Sequence, residues 1–348
     1  MTLLKRIIRS NFVVKLLHWE YWPFGILQFP IFFYFGWLCL RSRSLLFFTA
    51  SNPGIEMGGM FGESKWEILK KIPPLYLPKT IIIERTLSVE AVVDLLANEG
   101  FSYPLIFKPD LGERGFMVKR INNPKDISDY LKKIRIRFLA QELVIQPLEF
   151  GVFYHRHPSH EKGKVTSIVM KEMLSVTGDG TSTLQELISA KPRAKLQTRK
   201  LKEMYAERWN EIIPRNESIE LVSIGNHALG TKFLNGNHLI TEQLTESFDR
   251  ISKKIEGFYF GRFDLRCSSL EALQQGNVKI VELNGCGAEP AHIYDPDFKI
   301  VDALKVLFRH WRTIFEISRE NHKRGVQYVS FAEGRQYYRK FKDATRPG

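Results

Sequence analysis

The chain has 348 residues and 44% apolar side chains, enough material for about two domains or lobes, which excludes a disordered tail or a fibre. Its net charge of +13 favours anionic partners, among which nucleotides, nucleic acid and anionic lipid all qualify. Cys39, Cys267 and Cys286 are scattered, with neither metal-type pairing nor a disulfide framework, so a reducing compartment is expected.

The first 80 residues read as an N-terminal region of their own. Tyr21 to Leu40 is free of charged residues and flanked by Glu20 and Arg41, a length that could just span a bilayer. Pro23 and Pro30 argue against one uninterrupted helix, and the clustered Trp, Tyr and Phe suit a headgroup region. Lys5, Arg6, Arg9, Lys15, Arg41 and Arg43 would complement anionic lipid. A surface-lying or re-entrant anchor is therefore expected rather than a full span, with burial inside the protein as the competing reading. A cleaved signal peptide is not expected, since no small-residue cleavage site follows a short apolar core. Next, SLLFFTA (44–50) reads as a strand and SNPGIEMGGMFGESK (51–65) as a glycine-rich loop.

The middle of the chain, 81–320, alternates strands with short helices. Ser88 to Asn98 is a helix closed by Gly100, and Pro124 to Ile134 is a second. Between them the strand YPLIFK ends at Lys108 and runs into PDLGERGFMVKRI, where Gly112 and Gly115 bracket Glu113 and Arg114. Glycines let backbone N–H groups approach an anion, with Lys108 and Arg114 as cationic partners. Alone, such a turn is more often a hairpin connection, and no Walker-type GKS or GKT follows. FLAQELVIQPLEFGVFY then gives a strand into Glu142, a link from Leu143 to Pro147, and Glu149 before another strand. Lys171 lies on the strand preceding VTGDGTSTLQELI, a turn followed by a helix that Ser182 or Thr183 caps, with Gln185 and Glu186 in capping-box spacing. Asp179 and Thr181 read as structural. The basic run KPRAKLQTRKLK (191–202) reads as a solvated face on a long helix broken at Pro192. Without aromatic RNA-binding or zinc-finger signatures, no nucleic acid is expected. His227, in IGNHALGTKF, reads as a structural histidine, and Leu244, Phe248, Ile251 and Ile255 form a helical core stripe.

Two short runs then carry the most chemistry. In GRFDLR (261–266) Arg262, Asp264 and Arg266 fall on one strand face and Phe263 and Leu265 on the other, and in KIVELNG (279–285) Glu282 and Asn284 share a face. Alternation alone favours a hairpin with one solvated face. If the strands pair, Asp264, Glu282 and Asn284 converge as three oxygen ligands beside two arginines, a donor set suited to magnesium and phosphate. Cys286 follows as a small buried residue with no histidine placed to activate it. Ala303 to Ile317 reads as a packed helix. The basic tail 321–348 is expected to be loosely ordered from Gly334 onward.

In this order, the motifs resemble the ATP-grasp superfamily, specifically its D-alanine–D-alanine ligase-like carboxylate–amine ligases, over roughly Lys65 to Asp295. VTGDGTSTLQELI is further similar to a stretch in the ATP-grasp domains of cyanophycin synthetase and bifunctional glutathione synthetase. The resemblance implies an α+β fold in which two α+β lobes clasp ATP. It assigns Lys108 and the Gly112–Gly115 loop to the phosphates, Glu142 to the adenine amino group, the backbone at Leu143 and Val144 to the adenine edge, and Glu149 to the ribose. Lys171, and with less support Lys65, would contact phosphate. Asp264, Glu282 and Asn284 would hold Mg2+, with Mn2+ as an alternative, and Arg262 would be catalytic. The implied reaction is ATP-dependent amide or peptide bond formation through an acyl phosphate, from a carboxylate and an amine that the sequence does not identify. Its alternatives are a small-molecule kinase and a non-catalytic membrane-associated scaffold. Asp264→Asn is expected to abolish turnover with the fold nearly intact. The family's usual Rossmann-like first domain is reduced here to the aromatic N-terminal region. The expected location is cytoplasmic, at most peripheral on the inner face of the cell membrane.

Overall fold

The computed structural model describes Trp19, Trp22 and residues 24–113, 115–222 and 230–346, so Arg114 and His227 lie outside the described residues. The architecture is α+β. Strands β1 (Thr80–Ile83), β2 (Leu105–Pro109), β3 (Lys119–Ile121) and β4 (Phe138–Glu142) form an antiparallel sheet in the order β1-β4-β2-β3. One face, carrying Leu105, Phe107, Phe138 and Ala140, is covered by the helices Val89–Asn98 and Pro124–Leu131, whose Val92, Leu96, Ile127 and Tyr130 complete a closed core. Both helices start where side chains can satisfy free amides: Ser88 accepts from Ala91 N–H and Asn123 from Asp126 N–H. The other face, with Lys108, Leu139 and Gln141, looks toward a second sheet.

That sheet contains β5 (Leu148–His155) and β6 (Lys164–Glu172). The short pair β7 (Ser175–Thr177) and β8 (Ser218–Glu220) leaves it for a satellite, and β9 (Lys232–Asn235), β10 (Phe260–Cys267) and β11 (Lys279–Asn284) complete it in the antiparallel order β11-β10-β5-β6-β9. Phe150, Val152, Phe263 and Leu265 point to its apolar side, where the stripe Leu244, Phe248, Ile251 and Ile255 of helix Glu242–Lys253 packs as its spacing predicts. The satellite buries Leu184, Ile188, Leu201 and Trp209 beneath β7 and β8. Its entry is the expected capping box, Thr183 with Glu186, but the basic run forms two short helices, Pro192–Lys195 and Thr198–Met204, rather than one long one. Asp179 accepts from the N–H and hydroxyl groups of Thr181 and Ser182, which makes it a turn residue as read.

Three N- and C-terminal expectations are corrected. Phe24–Ser42 is one helix that continues through Pro30. Proline removes one N–H and crowds the preceding turn, but Leu27, Ile31, Leu38 and Cys39 are buried against the body, and that packing outweighs the lost bond. Residues 44–50 form no strand; Phe47–Ser51 is a short 3-10 helix with every residue buried. An apolar run reports burial rather than period when no neighbouring strand edge is free to pair. The tail is ordered as the helix Phe331–Ala344, started by a Ser330–Glu333 capping box. The long helix Ile300–Lys323 closes the body: Ser318 donates to Phe47 O, and Asn321 Nδ2 donates to Ala50 O at 2.8 Å.

The glycine-rich loop is laid against the end of β11. Cys286 N donates to Gly58 O at 3.0 Å and Gly287 N to Gly59 O at 2.8 Å, while buried Asn52 bridges Gly58 O to the Tyr259 and Phe260 backbone. Gly59 has φ +76°, and a Cβ there would stand 2.6 Å from Gly285 Cα. Gly59→Ala is therefore expected to lower stability by about 3 kcal/mol, combining a left-handed backbone with a backbone clash. Urea unfolding measures this, and an unchanged midpoint would mean the two glycine segments do not touch.

Candidate active site

Antiparallel register brings the charged residues together. Arg262 is opposite Asn284, and Asp264 is opposite Glu282 on one side and Gly151 on the other, so all these side chains share the face turned toward the first sheet. Gly151 is the small residue this crowding requires: a Cβ there would meet Val169 Cγ1 at 2.7 Å, Arg262 Cδ at 3.1 Å and Asp264 Oδ1 at 3.2 Å. Asp264 accepts from Arg262 Nη2 and Asn284 Nδ2, each at 2.9 Å, and pairs with Lys171 Nζ at 3.0 Å. Burial alone would raise its pKa, but the Arg262 and Lys171 charges reverse that and hold it down at about 2. Burial likewise disfavours the charged Lys171, and the Asp264 and Glu149 carboxylates overcome it, raising its pKa. Lys171 Nζ also donates to Glu149 Oε1 at 3.0 Å. Arg262 Nη1 reaches Glu289 O at 3.1 Å, which ties the arginine to the loop after β11.

Lys108 reaches β11 from the first sheet. Its Nζ donates to Gln141 Oε1 at 2.9 Å and across to Val281 O at 2.8 Å. Desolvation pulls its pKa down to about 8, against the Glu282 charge and with help from Lys65. Lys65, at the start of helix Lys65–Leu69, donates to Gly112 O and stands 3.8 Å from Glu282, so it ties the glycine loop to β11. Gly112 and Gly115 have φ of +135° and +74°, as a loop of this shape requires. The loop's base is fixed by Asp110, which accepts from Ser64 Oγ, Trp66 N and Arg137 Nε.

At the link between β4 and β5 the placements divide. Glu149 lies on the charged face with Lys171, and Arg266 Nη1 donates to Val144 O at 3.1 Å, which fixes the link through Leu143 and Val144. Glu142 does not join this group. Alternation along β4 gives the cleft face to Gln141, beside Lys108, and turns Glu142 to the opposite, solvent-exposed side near Lys79. Two further residues were not legible as site residues. Gln141 is an ordinary amide until β4 is paired. Glu63 is placed by the loop so that its Oε2 is buried without a hydrogen-bond partner. Burial pushes its pKa up to about 7, opposed by its own backbone hydrogen bond and Lys65 and reinforced by Glu113 and Glu282.

Among the described residues no three His, Cys, Asp or Glu side chains converge on one point. The donor set at β10 and β11 is instead two carboxylates in direct cross-strand register and one amide, hard oxygen chemistry that fits magnesium completed by water and phosphate oxygens. Asp264 is neutralised by Lys171 and Arg262, while among the described residues the ion pair of Glu282 is the longer one to Lys65.

No family model and no curated protein matches the chain. Among solved structures it is similar to a D-alanine–D-alanine ligase from Bacillus anthracis, at 14% identity and TM-score 0.44, covering 78% of this chain and 72% of that one. The VanG D-Ala:D-Ser ligase from Enterococcus faecalis follows at 12% and 0.41, covering 73% and 62%. A bifunctional glutathione synthetase from Pasteurella multocida gives 16% and 0.35, covering 70% and 36%. The chain thus spans about a third of the synthetase's length and under two thirds of VanG's. By their names, the solved structures to which the chain is similar are thus two ligases and a glutathione synthetase.

Proposed function

We propose that the protein is an ATP-dependent carboxylate–amine ligase. ATP would transfer its γ-phosphate to a substrate carboxylate, and an amine would then displace phosphate to give an amide or peptide bond, ADP and phosphate. One observation carries the reading: Lys108 on the first sheet reaches Val281 O and the Glu282 charge on β11 of the second, and that sheet carries Lys171, Arg262 and Asp264 on the face it shares with Glu282. Lys108 and Lys171 would neutralise phosphate oxygens, with the Gly112–Gly115 backbone above them. Glu149 would hold a ribose hydroxyl and the Leu143–Val144 backbone would read the adenine edge. Arg262 would stabilise the transferring phosphoryl group and the oxyanion of amine attack, preorganised by Asp264 and Glu289 O. Magnesium held by Asp264, Glu282 and Asn284 would supply charge neutralisation between phosphate oxygens.

With Mg-ATP and pooled carboxylates, hydroxylamine is expected to trap hydroxamate in step with ADP release. ADP formation that yields a phosphate ester and no hydroxamate would replace this reading with the kinase.

A further inference from the structure

The helix Phe24–Ser42 has two apolar faces, and among the described residues only one of them is packed against the rest of the protein. On the inner face Leu27 and Ile31 pack with Ile293, Ala303 and Leu307. Gln28 Nε2 donates to Glu289 Oε1, and Glu289 is the residue whose carbonyl oxygen holds Arg262. The helix is therefore fixed in rotation. Its outer face presents Ile26, Phe29, Phe33, Trp37 and Leu40, spaced three, four, four and three residues apart in one stripe, with exposures from 47% at Trp37 to 78% at Leu40. Phe32 beside the stripe and Leu45 in the turn beyond it are also exposed.

A contiguous apolar face of this kind marks a contact surface. Its charge setting selects the partner. Residues 1–46 contain Lys5, Arg6, Arg9, Lys15, Arg41 and Arg43 against one acid, Glu20. Arg41 stands 4.9 Å over the Trp37 ring at the end of the stripe, so cation and aromatic face share one edge. A second copy of the chain on this face would set cation against cation in molecules that each carry +13. An anionic bilayer complements the charge, accepts Phe and Leu below its headgroups, and suits Trp at their level. Among the described residues no helix is long and apolar enough to cross a membrane, and the inner face of this one is already committed to the protein.

We propose that the outer face of the Phe24–Ser42 helix seats the protein on an anionic phospholipid surface, with the helix lying in the plane of the interface. The test uses the full chain and co-sedimentation with phosphatidylcholine vesicles, with and without phosphatidylglycerol. Wild type is expected to sediment with the anionic vesicles and to be released in part by salt. The triple substitution Phe29→Ser, Phe33→Ser, Leu40→Ser is expected to weaken partitioning by about a hundredfold or more. The urea-unfolding midpoint should be unchanged in that variant and reports that it is folded. Equal sedimentation of both proteins, or none of the wild type, overturns the proposal. A wild-type dimer in size-exclusion chromatography that the triple variant converts to monomer would also overturn it, assigning the face to a second copy. None of these readouts depends on the ligase chemistry.

Discussion

Asp264→Asn is expected to reduce ADP formation by about a thousandfold or more and, at neutral pH, to destabilise the protein by about 2 kcal/mol. The first effect follows from removing one of two carboxylates that would hold the metal and the group that orients Arg262. The second follows from the site as folded. The carboxyl is held at about 2 against an ordinary 3.8, which corresponds to about 2 kcal/mol of stability. Because the folded pKa is depressed, that stability is present above pH 3.8 and is lost as pH falls through 2. Sequence alone points to a silent change in fold, but the carboxylate neutralises two buried cations, Lys171 and Arg262, and an amide cannot. Steady-state ADP release and urea unfolding on one preparation measure both effects. Wild-type turnover in the variant would remove Asp264 from the machinery.

Binding of ATP is expected to take up a proton near pH 8, through Lys108. In the free protein this lysine is buried and held at about 8 instead of 10.5, so near that pH a large share of the molecules carry it neutral. A phosphate oxygen against Nζ would favour the charged form and restore the proton. Calorimetry of ATP binding in buffers of different ionisation enthalpy reads the uptake directly, and Lys108→Met should abolish it while weakening affinity by about tenfold to a hundredfold. The same shift sets a stability slope. Between about pH 8 and 10.5 the unfolded chain holds a proton that the native lysine has released, so stability rises with pH across that window, by about 3 kcal/mol for this group. Buffer-independent binding enthalpy at pH 8 would mean that no phosphate meets Lys108.

What the sequence disclosed and what it hid separate along physical lines. Strand alternation is strictly two-residue, so Arg262, Asp264, Glu282 and Asn284 could be put on one face before any pairing was seen, and β10 and β11 do pair in that register. Capped helices such as those after Ser88 and Thr183 were equally legible, because the cap is a local hydrogen bond. The failures are all tertiary. Pro30 remains inside a helix because one face of that helix is packed, and the run at 44–50 is buried without being a strand. Gln141 stands beside Lys108 while Glu142, which the resemblance assigns to an adenine amino group, is on the exposed side, since a difference of one residue along β4 reverses the face. Glu63 acquires its environment only when the glycine loop closes on Gly285 and Gly287.

The hydrogen bonds from Ser318 to Phe47 and from Asn321 to Ala50 each join residues 271 positions apart, and they have a cost in time. The ribosome makes the Phe24–Ser42 helix and its neighbours well before the Ile300–Lys323 helix that covers them. At ordinary elongation rates the interval is on the order of 10 to 50 s. Throughout it Leu27 and Ile31 lack Ile293, Ala303 and Leu307, and closing so long a loop comes late in any folding order. The nascent chain is therefore at its most adhesive before its cleft exists, and a chaperone or a lipid surface that holds the first turns during synthesis would act on yield rather than on catalysis.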